Sequence, residues 1–179
     1  MTIPRAPACR GFTLVELLVA TSLSAIVFAG VLSAYLFIGR NLTRLVNFQQ
    51  QEVESRRTLR YLTEDVSAAT VLTTATASRL DLTKPASGGS TAISYVYSPG
   101  DQTLTRTDPS GTRTLLTGLT DFSLLYYNRT GMAIASSLLS VKSIELSFSS
   151  TAGSAASGTL ASYSTVSPRI VMRNKPVLE

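Results

Sequence analysis

Hydrophobic positions along the chain fall into two regimes. From Phe12 to Ile38 they run almost unbroken through 27 residues, and the only charged side chain among them is Glu16. As a helix that run covers about 40 Å at 1.5 Å per residue, more than the roughly 30 Å of a bilayer's hydrocarbon core. The segment is therefore long enough to span a membrane. Beyond Ala69 the apolar positions instead alternate with Ser, Thr and charged residues, the period of strands.

The stretch between the two regimes has neither Pro nor Gly from Arg40 to Ala69. Leu59, Leu62, Val66 and Ala69 recur there at spacings of three and four, preceded by Leu42, Leu45 and Val46, which predicts an amphipathic continuation of the helix. Gln49, Gln50, Gln51, Glu52, Glu54, Arg56 and Arg57 fall mostly between the stripe positions and read as its solvated face. After Ala69, Leu80 and Leu82 alternate with polar residues, as do Ile93, Tyr95 and Tyr97. The turn Ser98-Pro99-Gly100-Asp101 leads to a return strand at Leu104, and Asp108-Pro109-Ser110-Gly111 marks another turn. Phe122, Leu124 and Tyr126 share a face, as do Ile144, Leu146 and Phe148, and Ile170 with Met172 closes a last short strand. Two stretches without periodicity, Thr83 to Thr91 and Ser149 to Ser167, are expected to be loops. The expected fold is α+β: a long N-terminal helix, half transmembrane and half amphipathic, packed against an antiparallel sheet.

Composition removes several function classes. The chain has no histidine and a single cysteine, Cys9, so His-based triads, Cys/His zinc sites and an intrachain disulfide are excluded by inventory. Spacing suggests no carboxylate pair among Asp65, Asp81, Asp101, Asp108, Asp121 and Glu145. No catalytic residue, metal site or cofactor is expected. Asp101 with Asp108 offers oxygen ligands for calcium but lacks EF-hand spacing. Net charge is +5, to which Arg5 and Arg10 contribute two, and no dense Lys/Arg cluster follows, so nucleic acid is not an expected partner. Tyr95, Tyr97, Tyr126 and Tyr127 read either as an exposed aromatic patch or, for half of them by strand alternation, as core.

Glu16 then needs a reason. An acid in an apolar span is costly unless it reaches water, headgroups or an opposite charge. A plain secretory signal with a cleavage site at Val27-Phe28-Ala29 is one alternative, but the apolar run continues past it and Glu16 interrupts its front. The basic leader, Arg5 and Arg10, favours a cytoplasmic N-terminus, although Arg40 and Arg44 flank the other end.

The stretch Arg10-Gly11-Phe12-Thr13-Leu14-Val15-Glu16-Leu17-Leu18-Val19-Ala20 resembles the cleavage and methylation signal of class III prepilins, the type IV pilins and the pseudopilins of type II secretion. The resemblance implies that a prepilin peptidase cuts between Gly11 and Phe12, that Phe12 becomes N-methylated, and that the leader is discarded with Cys9. It also implies an assembly role for Glu16, whose carboxylate neutralises the N-terminal ammonium of an adjacent subunit as helices stack. An α-amino group, with its usual pKa of about 7.7 to 8.0, is mostly cationic at neutral pH, so that pairing is chemically available. Many major pilins carry a proline within the apolar helix; this one has only Gly30 and Gly39.

In layout, Arg57-Thr58-Leu59-Arg60-Tyr61-Leu62-Thr63-Glu64-Asp65-Val66, the strand Leu119 to Tyr127 and the terminal Pro168 to Asn174 resemble the W-type minor pilins and J-type minor pseudopilins. The resemblance implies a leader at 1–11, a transmembrane and assembly helix at 12–39, an amphipathic half at 40–70 and a β-rich head at 71–179. The expected function is that of a non-enzymatic minor pilin or pseudopilin, priming or capping filament assembly from the inner membrane, with a single pass and its head in the periplasm or outside. Its implied partners are other pilin or pseudopilin subunits, prepilin peptidase, inner-membrane lipid and the assembly platform. The alternative is a signal-anchored extracytoplasmic ligand-binding module, which needs neither Gly11 nor Glu16.

Overall fold

A run of 55 residues rich in Leu, Ala and Val and free of proline forms one helix, α1 (Leu14–Ala68), in a computed structural model that describes residues 11–134, 137–153, 156 and 158–176. Gly30 and Gly39 are accommodated within it, each at about 1 kcal/mol relative to alanine. The leader side chains Arg5, Cys9 and Arg10 lie outside the described residues. The helix ends where Ala69-Thr70-Val71 opens the β-branched region. Two compact units divide the chain, Met1–Leu42 and Thr43–Glu179, so the C-terminal part of α1 belongs with the strands.

In the first unit the described residues are all exposed, and their helical stretch is the one long and apolar enough to cross a membrane, with mean hydropathy 2.2 in its best window. The second unit holds two antiparallel sheets. The first is a meander of β1 (Val71–Ala75), β2 (Arg79–Ala86), β3 (Gly89–Ser98), β4 (Thr103–Asp108) and β5 (Gly111–Leu116). The second orders β6 (Leu119–Tyr127), β7 (Ser143–Ala152) and β8 (Ala161–Val166), with β9 (Ile170–Val171) also on β7. The α+β expectation holds, but the single expected sheet is two. The chain passes from one to the other at Gly118, whose φ of +66° favours glycine and whose added Cβ would lie 2.3 Å from the Thr151 carbonyl oxygen. Thr151 N–H donates to the Gly118 carbonyl at 2.8 Å, closing the corner.

Strand alternation places the core as expected. Leu80, Leu82, Ile93, Tyr95 and Leu104 face inward from the first sheet, Phe122, Leu124, Ile144, Leu146 and Phe148 from the second, and Leu62 and Val66 from the helix. The three layers meet around a void of about 10 Å³ lined by Leu62, Tyr95, Leu104, Phe122, Leu124 and Leu146, at the lower limit for holding a water molecule.

Four expectations are corrected. Thr83 to Thr91 is not a loop: Lys84 pairs with Thr91 and Pro85 with Ser90, and only a tight turn at Ser87-Gly88 separates β2 from β3. Much of the second expected loop, Ser149 to Ser167, is likewise strand, with Ala152 paired to Ala161 and Ser147 to Val166. Gln51 belongs not to the solvated face but to the buried one, with Ser55, Thr58, Leu62, Asp65 and Val66. Leu42, Leu45 and Val46, expected on the packing stripe, are exposed. The solvated face does carry the i,i+4 pairs Glu52–Arg56 and Arg60–Glu64.

The buried face of α1 is thus partly polar, and its acid is held by three strands. Asp65 is 2% exposed; it accepts from Lys84 of β2 at 2.6 Å, Tyr95 of β3 at 2.7 Å and Arg106 of β4 at 2.8 Å. Burial pushes its carboxyl pKa upward, yet hydrogen bonds from Arg106, Lys84 and Tyr95 outweigh that effect and hold it below the ordinary value. A depressed carboxylate stabilises the fold above its unfolded-state pKa of about 3.9, and that contribution is lost as pH falls through the folded value. Asp65→Ala, which leaves the buried Tyr95 hydroxyl and the Lys84 ammonium without their carboxylate and Arg106 with Asp108 alone, is expected to destabilise the head by about 3 to 5 kcal/mol. It is also expected to flatten the acid limb of stability, both effects being read by denaturant unfolding against pH with tyrosine near-UV dichroism.

Candidate processing and assembly site

The start of α1 is built by a local motif. Thr13 is the N-cap: its carbonyl accepts the first helical bond, from Leu17 N–H at 3.2 Å. Its hydroxyl oxygen accepts from Glu16 N–H at 3.3 Å, while Glu16 Oε2 accepts from both the Thr13 N–H and the Thr13 hydroxyl at 3.0 Å. This is a reciprocal capping box, T-x-x-E, satisfying donors that a helix start leaves open. Thr13 is a site residue that the sequence reading passed over, although Thr followed three residues later by Glu before an apolar run was its signature. A carboxylate in the first turn also faces the positive end of the helix dipole.

Both of these bonds fall on Oε2. Oε1 of Glu16 carries no hydrogen bond among the described residues, and the side chain is exposed. The other hydroxyls of this turn region are satisfied within the helix: Thr21, Ser22 and Ser24 donate back to the carbonyls of Leu18, Val19 and Ala20 at 2.8 to 3.0 Å. Glu16 is therefore the one charged side chain between Phe12 and Ile38, within an otherwise apolar surface.

Its neighbours have no structural reason for their identity. Gly11 shows no left-handed φ, and a Cβ added there would touch nothing within 4 Å. Phe12 is 88% exposed, so no packing in the chain selects an aromatic. The structure thus brings Gly11, Phe12, Thr13 and Glu16 together at one helix end with only Thr13 and Glu16 serving the fold.

The remaining candidate groups are structural. Asp108 accepts from Arg106 and from the Ser110 hydroxyl and backbone N–H, bonds that hold its pKa at about 2, and this ion pair is not the calcium arrangement considered with Asp101. Asp65 and Asp108 do share a neighbour, Arg106, which sits between them and precludes the proton sharing of a catalytic dyad. Asp81 is held by Arg79 and Ser94, and Glu145 by Arg169. The tyrosines form no exposed patch: Tyr95, Tyr126 and Tyr127 are buried, and Tyr97 stacks on Phe122 with ring centroids 4.8 Å apart.

Comparison with known proteins agrees with this geometry at the N-terminus. A family model described as the prokaryotic N-terminal methylation motif matches residues 7–32, the class III prepilin signal. It spans Gly11, Phe12, the capping box and most of the apolar segment. No curated protein matches the chain. Together the motif and the helix support a membrane-anchored, single-pass chain of pilin type.

Removing the cap tests the local account. Thr13→Ala is expected to cost about 1 kcal/mol of helix-start stability. Amide hydrogen exchange in detergent micelles should show faster exchange over the first turn, Leu14 to Leu17, with protection of the strands unchanged.

Proposed function

We propose that this chain is a minor pilin or pseudopilin, processed between Gly11 and Phe12, N-methylated on Phe12, and built into a filament through its N-terminal helix. The observation that carries the reading is the combination at the helix start. Gly11 and Phe12 are required by nothing in the described fold, beside an acid whose Oε1 has no hydrogen bond among the described residues, all within the matched methylation motif. A recognition site for a peptidase explains the first two residues. A neighbouring subunit's methylated ammonium explains the third.

The apolar surface supports the same function. Phe12, Ile26, Phe28, Tyr35 and Phe37 are each more than two-thirds exposed. In a bilayer that surface meets lipid; in a filament it meets the equivalent helices of other subunits, where Glu16 loses its access to water and needs its counter-charge. A tether for a ligand-binding module would account for the apolar helix but leaves Gly11 and Glu16 without a task. Pilus or type II secretion pseudopilus, with priming or capping of assembly, is the role we assign within that class; prepilin peptidase, other pilin-type subunits and the assembly platform are the partners.

Substitution at Glu16 separates pairing from capping. Glu16→Gln keeps an amide able to close the capping box and removes the charge. It is expected to leave the precursor inserted and cut, and to lower incorporation into sheared filaments by at least about tenfold, since an unpaired buried ammonium costs several kcal/mol. Glu16→Asp should lose part of that incorporation. Immunoblots of membrane and filament fractions read the result, and full incorporation of Glu16→Gln would overturn the pairing.

A further inference from the structure

The connection between β7 and β8 is fastened to α1 just after the chain leaves its apolar run. Arg44 Nε donates to the Gly158 carbonyl, and Asn47 Nδ2 donates to the Thr159 carbonyl at 3.2 Å. Phe48 meets Tyr163 edge-on, with ring centroids 5.6 Å apart. Gly153 belongs to the same contact: its φ is +94°, and an added Cβ would lie 2.4 Å from the Thr159 carbonyl oxygen and 2.8 Å from Asn47 Nδ2. All of these groups are in the second unit. Beside them lie aliphatic side chains that the fold leaves uncovered, Leu45 at 52%, Val46 at 59% and Leu160 at 45% exposure.

We propose that this end of the second unit rests on the membrane surface, with Leu45, Val46 and Leu160 entering the headgroup layer and the Arg44 guanidinium taking the phosphate of an anionic phospholipid. Covalent length alone keeps the two close. Arg44 follows Ile38, the last residue of the apolar run, by six positions. That is about 9 Å along α1, and no more than about 20 Å even for a fully extended chain. The headgroup layer reaches about 5 to 8 Å beyond the hydrocarbon core on each side. An apolar run of about 40 Å in a core of about 30 Å is accommodated by tilting, which lowers one flank of the emerging chain toward the headgroups.

Charge agrees with that partner. Arg40 and Arg44 are the only charged residues between Glu16 and Glu52, and residues 146–168 carry no charge at all. The ion pairs among the described residues include neither arginine, and Glu52, the nearest acid along the helix, is already held by Arg56. With Nε committed to Gly158, the terminal N–H groups of Arg44 remain to donate to a phosphate oxygen. A cation among aliphatic side chains, with no acid beside it in sequence, is the composition that an anionic interface attracts. A neighbouring subunit's helix could cover the same side chains in a filament, but it arrives only on assembly, whereas the bilayer is within covalent reach of every inserted copy. The inference rests on α1 spanning a bilayer and needs neither processing at Gly11 nor filament formation.

The test uses the full-length chain carrying Cys9→Ser and one nitroxide, at Ser162→Cys near the start of β8 or at Met132→Cys between β6 and β7. Both positions are exposed, so a difference between them reports the bilayer. The protein is reconstituted in nanodiscs of phosphatidylcholine, alone or mixed equally with phosphatidylglycerol, and power saturation reads access to an aqueous nickel chelate against access to oxygen. Chelate access is expected to be severalfold lower at Ser162 than at Met132, and lower again with phosphatidylglycerol. Arg44→Gln is expected to reduce the ratio of docked to free protein about fivefold in the anionic bilayer, and Arg44→Lys to retain most of the contact. Leu160→Ser should raise chelate access at Ser162 in both bilayers, while an unchanged spectrum at Met132 shows that the variants keep their fold. Equal chelate access at the two labels overturns the proposal, as does the absence of any difference between the two bilayers. It is also overturned if Arg44→Lys fails as Arg44→Gln does, which leaves Arg44 only the task of holding Gly158, or if access at Ser162 falls only in sheared filaments, which assigns the surface to neighbouring subunits.

Discussion

Asp65 is the point at which the helix and the first sheet become one structure. It lies one turn from the C-terminal end of α1, where the dipole disfavours an acid, and it is buried, where solvation no longer stabilises its charge. Three donors from three consecutive strands reverse both penalties. Because each donor sits on a different strand, the bonds fix the rotation of the helix and the register of β2, β3 and β4 at once. A one-residue slip of any of these strands would turn its donor to the opposite face and leave the acid short of a partner. The apolar contacts of Leu62 and Val66 supply area beneath the network, and Asp65 supplies orientation.

The same logic appears in reverse at the other end of the helix. There the fold satisfies one oxygen of Glu16 through Thr13, and the other has no bond among the described residues. It also provides no cover for the aromatic and aliphatic side chains from Phe12 onward. The second unit thus pairs its buried acid within the chain, while the first unit leaves both an apolar surface and a charge to be matched from outside it. Both features fit a subunit whose N-terminal helix does its work in contact with lipid and with other helices.

The helix start and the strand alternation were legible because both are local. Leu80, Leu82, Ile93, Tyr95, Phe122, Leu124, Ile144, Leu146 and Phe148 all lie inward as a period of two demands. The polar residues of the buried helix face were not legible, since Gln51 reads as solvated, and Ser55, Thr58 and Asp65 carry no apolar signal, until a sheet is laid against them. β8 escaped notice because Ala161 to Val166 is largely Ser, Thr and Ala, with too little contrast to show alternation although its burial does alternate. Pro85 and the paired glycines at 88 and 89 signalled a loop where the chain makes only a tight hairpin. The candidate-site residues Gly11, Phe12 and Glu16 could be chosen from one stretch of sequence, whereas the donors to Asp65 come from β2, β3 and β4 and meet it only in the folded chain.

The central claim is that the residues at the helix start exist for processing and assembly, and the mature N-terminus tests it most directly. Intact-mass and N-terminal peptide spectrometry on protein from a host with prepilin peptidase should find a chain beginning at Phe12 with one added methyl group. A chain that retains Met1, or one that begins at Gly30 after cleavage at Val27-Phe28-Ala29, would contradict the account.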